Sequence, residues 1–259
     1  MKRNGLPRPE GRAAEPLRNT GEALTFGKSI QRSRDSSMEK KRILREGEPD
    51  YNLAEELISA ISHGLGALFG VAALVLCLLA ASDDGAAAVV GAAVYGGSMV
   101  LLYTCSTIYH SLRVNLAKRV FRVLDHCGVY LLIAGTYTPL MLVSMYGQSQ
   151  VTAVVMLVVI WAAAAVGIVF SSISLRRFRV LSAICYMAMG WSVIFTFSPM
   201  MRALGPFGTK LLVWGGVAYT LGAVLYGIGS KKRYFHSVFH FFVLAGSVLH
   251  FLCIYLCVL

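Results

Sequence analysis

Long apolar segments alternate with short polar breaks over most of the chain. The first of them, from Leu57 to Ser82, contains no charged residue, and a helix needs roughly 20 apolar residues to cross the hydrocarbon core of a membrane. None of the segments has the two-residue alternation of a membrane β-barrel strand. The pattern predicts an all-α integral membrane protein with seven transmembrane helices. The six spans that follow the first are at about 87–111, 120–145, 151–172, 180–200, 209–229 and 235–258.

A polar tail precedes the first apolar segment. Residues 1–50 mix glycine, proline, serine and both signs of charge without helical or strand periodicity, the stretch Ser29 to Ser37 included, which predicts a disordered tail. Met38 to Glu56 is richer in Glu, Lys, Arg and Leu, a composition compatible with a short helix leading to the membrane. The tail has no apolar core of signal-peptide length, so the first membrane helix is expected to direct insertion. Residues 51–259 are predicted to form the seven-helix domain.

The composition excludes an ordinary soluble domain. Of the 259 residues, 56% are apolar and 14% are charged, and the charged share is about half that of a typical soluble domain. The net charge of +11 would suit a nucleic-acid-binding protein, but beyond residue 56 the basic residues are confined to short breaks between apolar segments. No nucleic-acid partner is therefore expected. The six cysteines lie in apolar stretches without a C-x-x-C pair, which predicts thiols that form neither disulfides nor a metal site.

The basic residues of the breaks predict the orientation in the membrane. The second, fourth and sixth breaks hold ten Lys and Arg residues, whereas the alternate breaks hold two, Arg202 and Lys210. By the positive-inside rule the first set faces the cytoplasm, which places the N-terminus in the cytoplasm and the C-terminus outside. We expect a multi-pass protein of the plasma membrane, of the bacterial inner-membrane type. The ten residues are Arg113, Lys118, Arg119, Arg122, Arg176, Arg177, Arg179, Lys231, Lys232 and Arg233.

Three histidines are expected at one depth, in the cytoplasmic half of the helical bundle. The second span runs inward and ends near His110, and the seventh starts inside with His236 and His240. The i, i+4 spacing places the last two rings on one helix face, roughly 5–6 Å apart. Three neutral imidazoles with an open fourth position are a common arrangement of catalytic zinc, although other metals also bind imidazole. The sequence predicts a metal site at these three residues.

Two further polar residues are expected near the same depth. Asp125 lies near the cytoplasmic start of the third span, where it would hold a water molecule or take its proton, or else pair with Arg119 or Arg122. Ser106 is four residues before His110 in the second span, so its hydroxyl can lie beside whatever the histidine binds. The alternatives for this serine are a small packing residue and a hydrogen bond back to the carbonyl of residue 102.

The remaining histidines are assigned other roles. His63, near the start of the first span, lacks a partner at ligand spacing, so we favour a hydrogen-bonding role over ligation. His126 follows Asp125 directly and points about 100° away from it around the helix, and we expect the carboxylate to be the one that faces the site. His250 lies about 15 Å deeper than His240 and is not expected to be a ligand.

Four motifs in this order resemble the hemolysin III family, which belongs to the progestin and adipoQ receptor superfamily and is thus similar to the adiponectin receptors. The resemblance covers about residues 51–259. A departure is Ser59, which stands where the family usually has asparagine. The motifs are Glu55-Glu56 through Ser62-His63-Gly64, Ser106-Thr-Ile-Tyr-His110, Leu124-Asp125-His126 leading into Ala134-Gly-Thr-Tyr-Thr-Pro139, and His236-x-x-x-His240.

The resemblance implies a zinc ion near the cytoplasmic face, held by His110, His236 and His240, with Asp125 and Ser106 around the water that it binds. Similar proteins are described as hydrolases of lipid amides, ceramides among them, and the bacterial-type members as hemolysins or pore-forming proteins. The short loops argue against a receptor for a protein hormone.

Three functions remain as hypotheses. The first is a zinc-dependent hydrolase of a lipid amide or ester, with a membrane lipid as substrate, Asp125 as general base and Ser106 orienting the water or the oxyanion. The second is a pore-forming, cytolytic protein with a structural zinc. The third is a non-catalytic regulator of membrane lipid homeostasis whose metal site senses a lipid.

Overall fold

The computed structural model describes residues 30–36, 38–39, 51–229 and 232–259. The chain divides into two units, Met1–Glu46 and Gly47–Leu259. In the second unit the described residues form seven α-helices and no strand, which confirms the all-α prediction. The helices are α1 (Leu53–Ala81), α2 (Ala86–Ser111), α3 (Leu116–Pro139), α4 (Gln150–Ile173), α5 (Leu175–Trp191), α6 (Phe197–Gly229) and α7 (Phe235–Cys257).

In the first unit, residues 30–36 and 38–39 are helical and exposed. The sequence pattern did not predict helix at residues 30–36, whereas residues 38–39 belong to the segment from Met38 to Glu56 in which a short helix was expected. The side-chain amide of Gln31 donates a hydrogen bond to Asp35 Oδ1 at 3.4 Å, and such i, i+4 pairs support a helical turn that has no apolar periodicity. The rest of the predicted tail, residues 1–29, 37 and 40–50, lies outside the described residues, and so does most of the short helix expected between Met38 and Glu56.

Helix α1 begins four residues before the predicted start of the first span at Leu57. Asn52 Oδ1 accepts a hydrogen bond from the Glu55 amide, and Glu55 Oε2 accepts one from the Asn52 amide, both at 2.9 Å. This capping box satisfies two amide groups that a helix start leaves without partners. It also places Glu55 and Glu56 inside the first turn of the helix, at the end where the candidate site lies.

Glycines allow α1 and α2 to approach closely. A Cβ atom on Gly66 would lie 2.6 Å from the Tyr103 ring, and one on Gly96 would lie 2.6 Å from the Leu74 Cα atom. A Cβ on Gly70 would lie 3.2 Å from a backbone nitrogen of α2. Small residues at such crossings let membrane helices pack backbone to backbone, and the Gly66-xxx-Gly70 pattern of the sequence serves this contact.

Six segments of the described chain are long and apolar enough to cross a membrane, and one of them, Leu175–Gly227, has 53 residues. As a continuous helix it would be about 80 Å long, far more than the roughly 30 Å of a hydrocarbon core. At Gly205 the backbone has φ 67° and ψ 178°, and Pro206 follows. Because this conformation is essentially restricted to glycine, the glycine interrupts the segment between the two spans predicted at 180–200 and 209–229.

A buried polar contact ties α7 to two other helices. The hydroxyls of Tyr103 on α2 and Tyr219 on α6 both lie 2.7 Å from Ser247 Oγ on α7. Interhelical hydrogen bonds of this kind hold membrane helices in register, since lipid offers the groups no other partner. The contact fixes the helix that carries His236 and His240.

Candidate metal centre

Three imidazoles from two helices meet in the interior. His110 lies in the last turn of α2, and His236 and His240 lie in the first two turns of α7. The Nε2 atom of His236 is 3.1 Å from Nε2 of His240 and 3.5 Å from Nε2 of His110. All three residues are buried, and one ligand atom from each lies within 4.8 Å of the others. The structure thus brings together the three histidines that the sequence placed at one depth.

The donor set fits a tetrahedral metal ion. Zinc binds imidazole nitrogen at about 2.0–2.1 Å, so two ligands of a tetrahedral site lie roughly 3.3 Å from each other. The two distances measured from His236 bracket that value. Several transition metals share the preference for imidazole, and this donor set suits zinc among them.

Glu56 provides the outer contact of the first histidine. Its Oε2 atom is 2.7 Å from Nδ1 of His110, and its Oε1 atom is 2.8 Å from Nζ of Lys118. Sequence reasoning assigned no role to Glu56 and counted Lys118 only as an orientation signal. The sequence did contain one signal for Glu56: it is a carboxylate near the start of an apolar helix, at the depth of the proposed metal site.

Ser106 contacts a histidine other than the one its spacing suggested. Its hydroxyl is fully buried and lies 2.7 Å from Nδ1 of His63, so the alternative of a bond to the carbonyl of residue 102 is replaced by an interhelical contact. His63 therefore has the hydrogen-bonding role that the sequence favoured. The His63 ring centroid is 3.8 Å from that of His240, which places the pair directly beside the histidine cluster.

The contact defines which nitrogen of His63 carries the hydrogen. Among the described residues, Ser106 Oγ has no other hydrogen-bond partner, and a buried hydroxyl is expected to donate. Nδ1 of His63 is then the acceptor, so in the neutral ring Nε2 carries the hydrogen. Nε2 is buried and has no partner in the described part of the chain, while the residue lines a cavity. The ring of His63 thus belongs to the cavity wall, while its Nε2 atom is itself buried.

A cavity of about 220 Å³ extends from the histidines between α3, α5, α6 and α7. Its wall is mostly apolar with a smaller number of polar side chains, Asp125 and the histidines among them, as in many ligand sites. His250 lines another part of the wall and lies 3.1 Å from the Leu212 carbonyl, outside the ligand cluster, as expected. Apolar lining residues include Leu132, Ile133, Leu140, Trp191, Val193 and Phe197.

Asp125 lines this cavity together with His63, His236 and His240. It does not belong to the group whose ligand atoms lie within 4.8 Å of one another. The sequence favoured Asp125 over His126 as the residue that faces the site, but both side chains line the cavity. Their ion-pair distance is 3.8 Å, from His126 Nδ1 to Asp125 Oδ2.

Tyr51 covers the cluster from the segment that precedes α1. Its ring stacks on His236 with 4.6 Å between centroids and 14° between planes. Burial raises the pKa of the Tyr51 phenol well above its usual value, so the hydroxyl stays protonated at neutral pH. The sequence gave no periodic signal for this contact, because Tyr51 lies before the apolar segment.

The six cysteines are all free thiols, and four of them are buried. None belongs to the histidine cluster. The Cys127 thiol makes only long hydrogen bonds, to the Ile168 carbonyl at 3.9 Å and with Ser172 Oγ at 3.8 Å, as for a small apolar side chain with a weak donor.

Comparison with known proteins agrees with the motifs. The chain is 41% identical to Hemolysin-3 of Bacillus cereus over 201 residues, 77% of this chain and 90% of that protein. It is 38% identical to the Hemolysin-3 homolog of Bacillus subtilis (strain 168) over 205 residues, 79% of this chain and 94% of that protein. It is also 30% identical to the Adiponectin receptor protein of Drosophila melanogaster over 191 residues, 61% of this chain and 41% of that protein.

The family described as Haemolysin-III related matches residues 51–251. The matched range includes both helices of the histidine cluster, the Glu56 contact and Asp125. This match and the two Bacillus relatives confirm the resemblance drawn from the four motifs. The chain belongs to the Haemolysin-III related family.

Proposed function

We propose that this chain is a zinc-dependent hydrolase, embedded in the membrane, that acts on an amide or ester bond of a lipid. One observation carries the proposal: the buried cluster of three imidazoles adjoins an apolar cavity whose wall also contains a carboxylate, Asp125. Hydrolysis of a lipid needs three things close together: a metal site, an ionisable residue, and a space for the apolar chains. A membrane lipid is the proposed substrate.

The proposed topology has seven crossings, with the N-terminus in the cytoplasm and the C-terminus outside. The break at Gly205 supports two crossings for the Leu175–Gly227 segment. The alternation of basic and nearly uncharged breaks supports the orientation. In this arrangement the histidine cluster lies at the cytoplasmic side of the plasma membrane.

In the proposed mechanism, His110, His236 and His240 hold the metal ion. A zinc ion bound there would supply Lewis acidity, which polarises carbonyl groups and makes water more acidic. The His63 N–H donates a hydrogen bond to the carbonyl oxygen of the substrate as negative charge develops on that oxygen. Ser106 acts only through His63, because its hydroxyl holds the imidazole ring in place. The apolar wall between α3 and α6 binds the acyl chain.

Asp125 moves the proton in this proposal. Water adds its oxygen to the carbonyl carbon, and Asp125 accepts the proton that the water loses. The bond from the carbonyl carbon to the amide nitrogen or ester oxygen then breaks, and Asp125 returns the proton to that leaving atom. The products are a fatty acid and an amine or alcohol.

The test is turnover of defined ceramides, other N-acyl lipids and lipid esters by purified protein in detergent. Asp125→Asn is expected to lower turnover roughly 10²–10⁴-fold, the usual contribution of a general base. Asp84→Asn is the matched control, because Asp84 is exposed in the break between α1 and α2. Turnover that survives in Asp125→Asn would exclude this carboxylate as the base.

A pore-forming function is the second candidate, and the observation that favours it is the name Hemolysin-3 of two relatives. It predicts ion flux through purified protein in liposomes, unaffected by Asp125→Asn. A regulator that senses lipid without cleaving it predicts, in the same preparations, bound intact lipid and no product.

A further inference from the structure

Lys118 is a buried cation with every donor in use. Its residue is 4% exposed, and its Nζ atom donates to Glu56 Oε1 at 2.8 Å and to the carbonyls of Tyr109 and Leu112 at 3.0 Å each. An ammonium group has three N–H donors, so these bonds account for all of them. A buried charge of this kind needs a partner of opposite sign, since burial without one is costly. Lys118 thus joins the start of α3 to the end of α2 and to α1.

Glu56 uses one oxygen for each partner. Oε1 accepts from Lys118, and Oε2 lies 2.7 Å from Nδ1 of His110. An ionised carboxylate can only accept hydrogen bonds, so Nδ1 of His110 carries the hydrogen. The lone pair of the neutral ring is then on Nε2, the atom that faces His236. The ring is in the tautomer, and in the orientation, that a metal ligand requires.

We propose that Glu56 is a positioning residue of the metal centre, oriented in turn by Lys118. This inference rests on the proposed metal site. Its physical content is that Glu56 sets the tautomer and the direction of His110, and that Lys118 keeps the carboxylate aimed at the ring while it fastens the end of α2. The chain Lys118–Glu56–His110 links three helices to one ligand atom.

The test measures zinc affinity by competition with a chromophoric chelator, without any substrate, in detergent-purified Glu56→Gln, Lys118→Gln and the double variant. Thermal unfolding of the metal-free proteins is recorded in parallel. Glu56→Gln is expected to weaken zinc binding about 10- to 100-fold, the usual effect of losing an outer-shell partner. The amide also offers an N–H₂ donor to Nδ1, which favours the wrong tautomer. Arg119→Gln is the matched control, because it removes a neighbouring cation that is exposed.

The double variant separates positioning from folding. Each single variant leaves one charge of the Lys118–Glu56 pair without its partner, and because the Lys118 side chain is only 5% exposed and that of Glu56 18%, this lowers stability, whereas removing both relieves that cost. We expect the double variant to regain thermal stability relative to Lys118→Gln, and to keep the zinc affinity loss of Glu56→Gln. Zinc affinity within twofold of the unmodified chain, in Glu56→Gln or in the double variant, would overturn the proposal. If the unmodified, folded chain binds no zinc, the proposed metal site itself fails. That outcome differs from the one in which the unmodified chain binds zinc and the variants bind it equally well.

Discussion

His63 Nδ1 lies 2.7 Å from Ser106 Oγ, and His63 lines the cavity while Ser106 is fully buried. The two residues come from different helices, α1 and α2. The serine is thus a support for the histidine, and of the two it is the histidine that lines the cavity. A substitution of His63 should therefore affect turnover directly, whereas a substitution of Ser106 should affect it only through the histidine.

Replacing Ser106 by alanine is expected to destabilise the protein by about 1–3 kcal/mol, because it leaves Nδ1 of His63 buried without a partner. Ser62→Ala is the matched control: Ser62 is also buried, but its hydroxyl bonds to the Ser59 carbonyl of its own helix. The measurement is the free energy of unfolding in detergent. Equal losses in the two variants would show that the interhelical bond contributes nothing special.

Replacing His63 by leucine is expected to lower turnover of a lipid amide about 10²–10³-fold, the effect of removing one oxyanion donor. Ser106→Ala should have a smaller effect, since the ring stays in place and only its tautomer is no longer fixed. Both variants should retain metal, which mass spectrometry of the purified proteins checks. A larger loss of turnover in Ser106→Ala than in His63→Leu would mean that the serine itself contacts the substrate.

Replacing Gly66 by alanine is expected to destabilise the α1–α2 contact by about 1–3 kcal/mol, the usual cost of overpacking. The new Cβ would lie 2.6 Å from the Tyr103 ring. Gly97→Ala is the control, since a Cβ there meets no described atom within 4 Å and alanine is the better helix former. Thermal unfolding in detergent should therefore separate the two variants, and a Gly66→Ala protein as stable as Gly97→Ala would contradict the close packing.

The seven-crossing topology is tested at single introduced cysteines, labelled with a membrane-impermeant maleimide in intact cells. Arg202 lies just before the Gly205 break and is exposed, and Asp84 and Arg177 are exposed as well. Asp84→Cys and Arg202→Cys are expected to react from outside, and Arg177→Cys only after lysis. The unmodified chain gives the background of its own thiols. Protection of Arg202→Cys in intact cells would contradict two crossings in this segment.

The sequence could predict the parts of the site that depend on depth and helical spacing. His236 and His240 share a face because they are four residues apart, and alternating topology brings the end of α2 to the start of α7. Neither argument specifies which side chains meet across two helices. The Glu56–His110 contact depends on how α1 is rotated against α2, and the i, i+4 spacing drew Ser106 towards His110 although its hydroxyl turns to His63.

In the fold, too, the sequence predicts some features and not others. The apolar segments predict the helices, but the start of α1 is fixed by the Asn52–Glu55 capping box, a local hydrogen-bond pattern that hydropathy does not register. Lys118 shows that a count of basic residues does not reveal whether a lysine is buried. It was counted only as a basic residue of a break, yet its ammonium group is buried in contacts with Glu56 and two carbonyls, because a lysine near a helix start can reach inward over several methylenes.

The most direct test of the central claim is the metal content of detergent-purified protein, measured by mass spectrometry for the unmodified chain and for His236→Ala/His240→Ala at matched folding quality. We expect about one zinc per chain in the former, as in a site with three protein ligands, and its loss in the latter. Folded, unmodified protein that contains no metal, even after incubation with zinc, would contradict that claim.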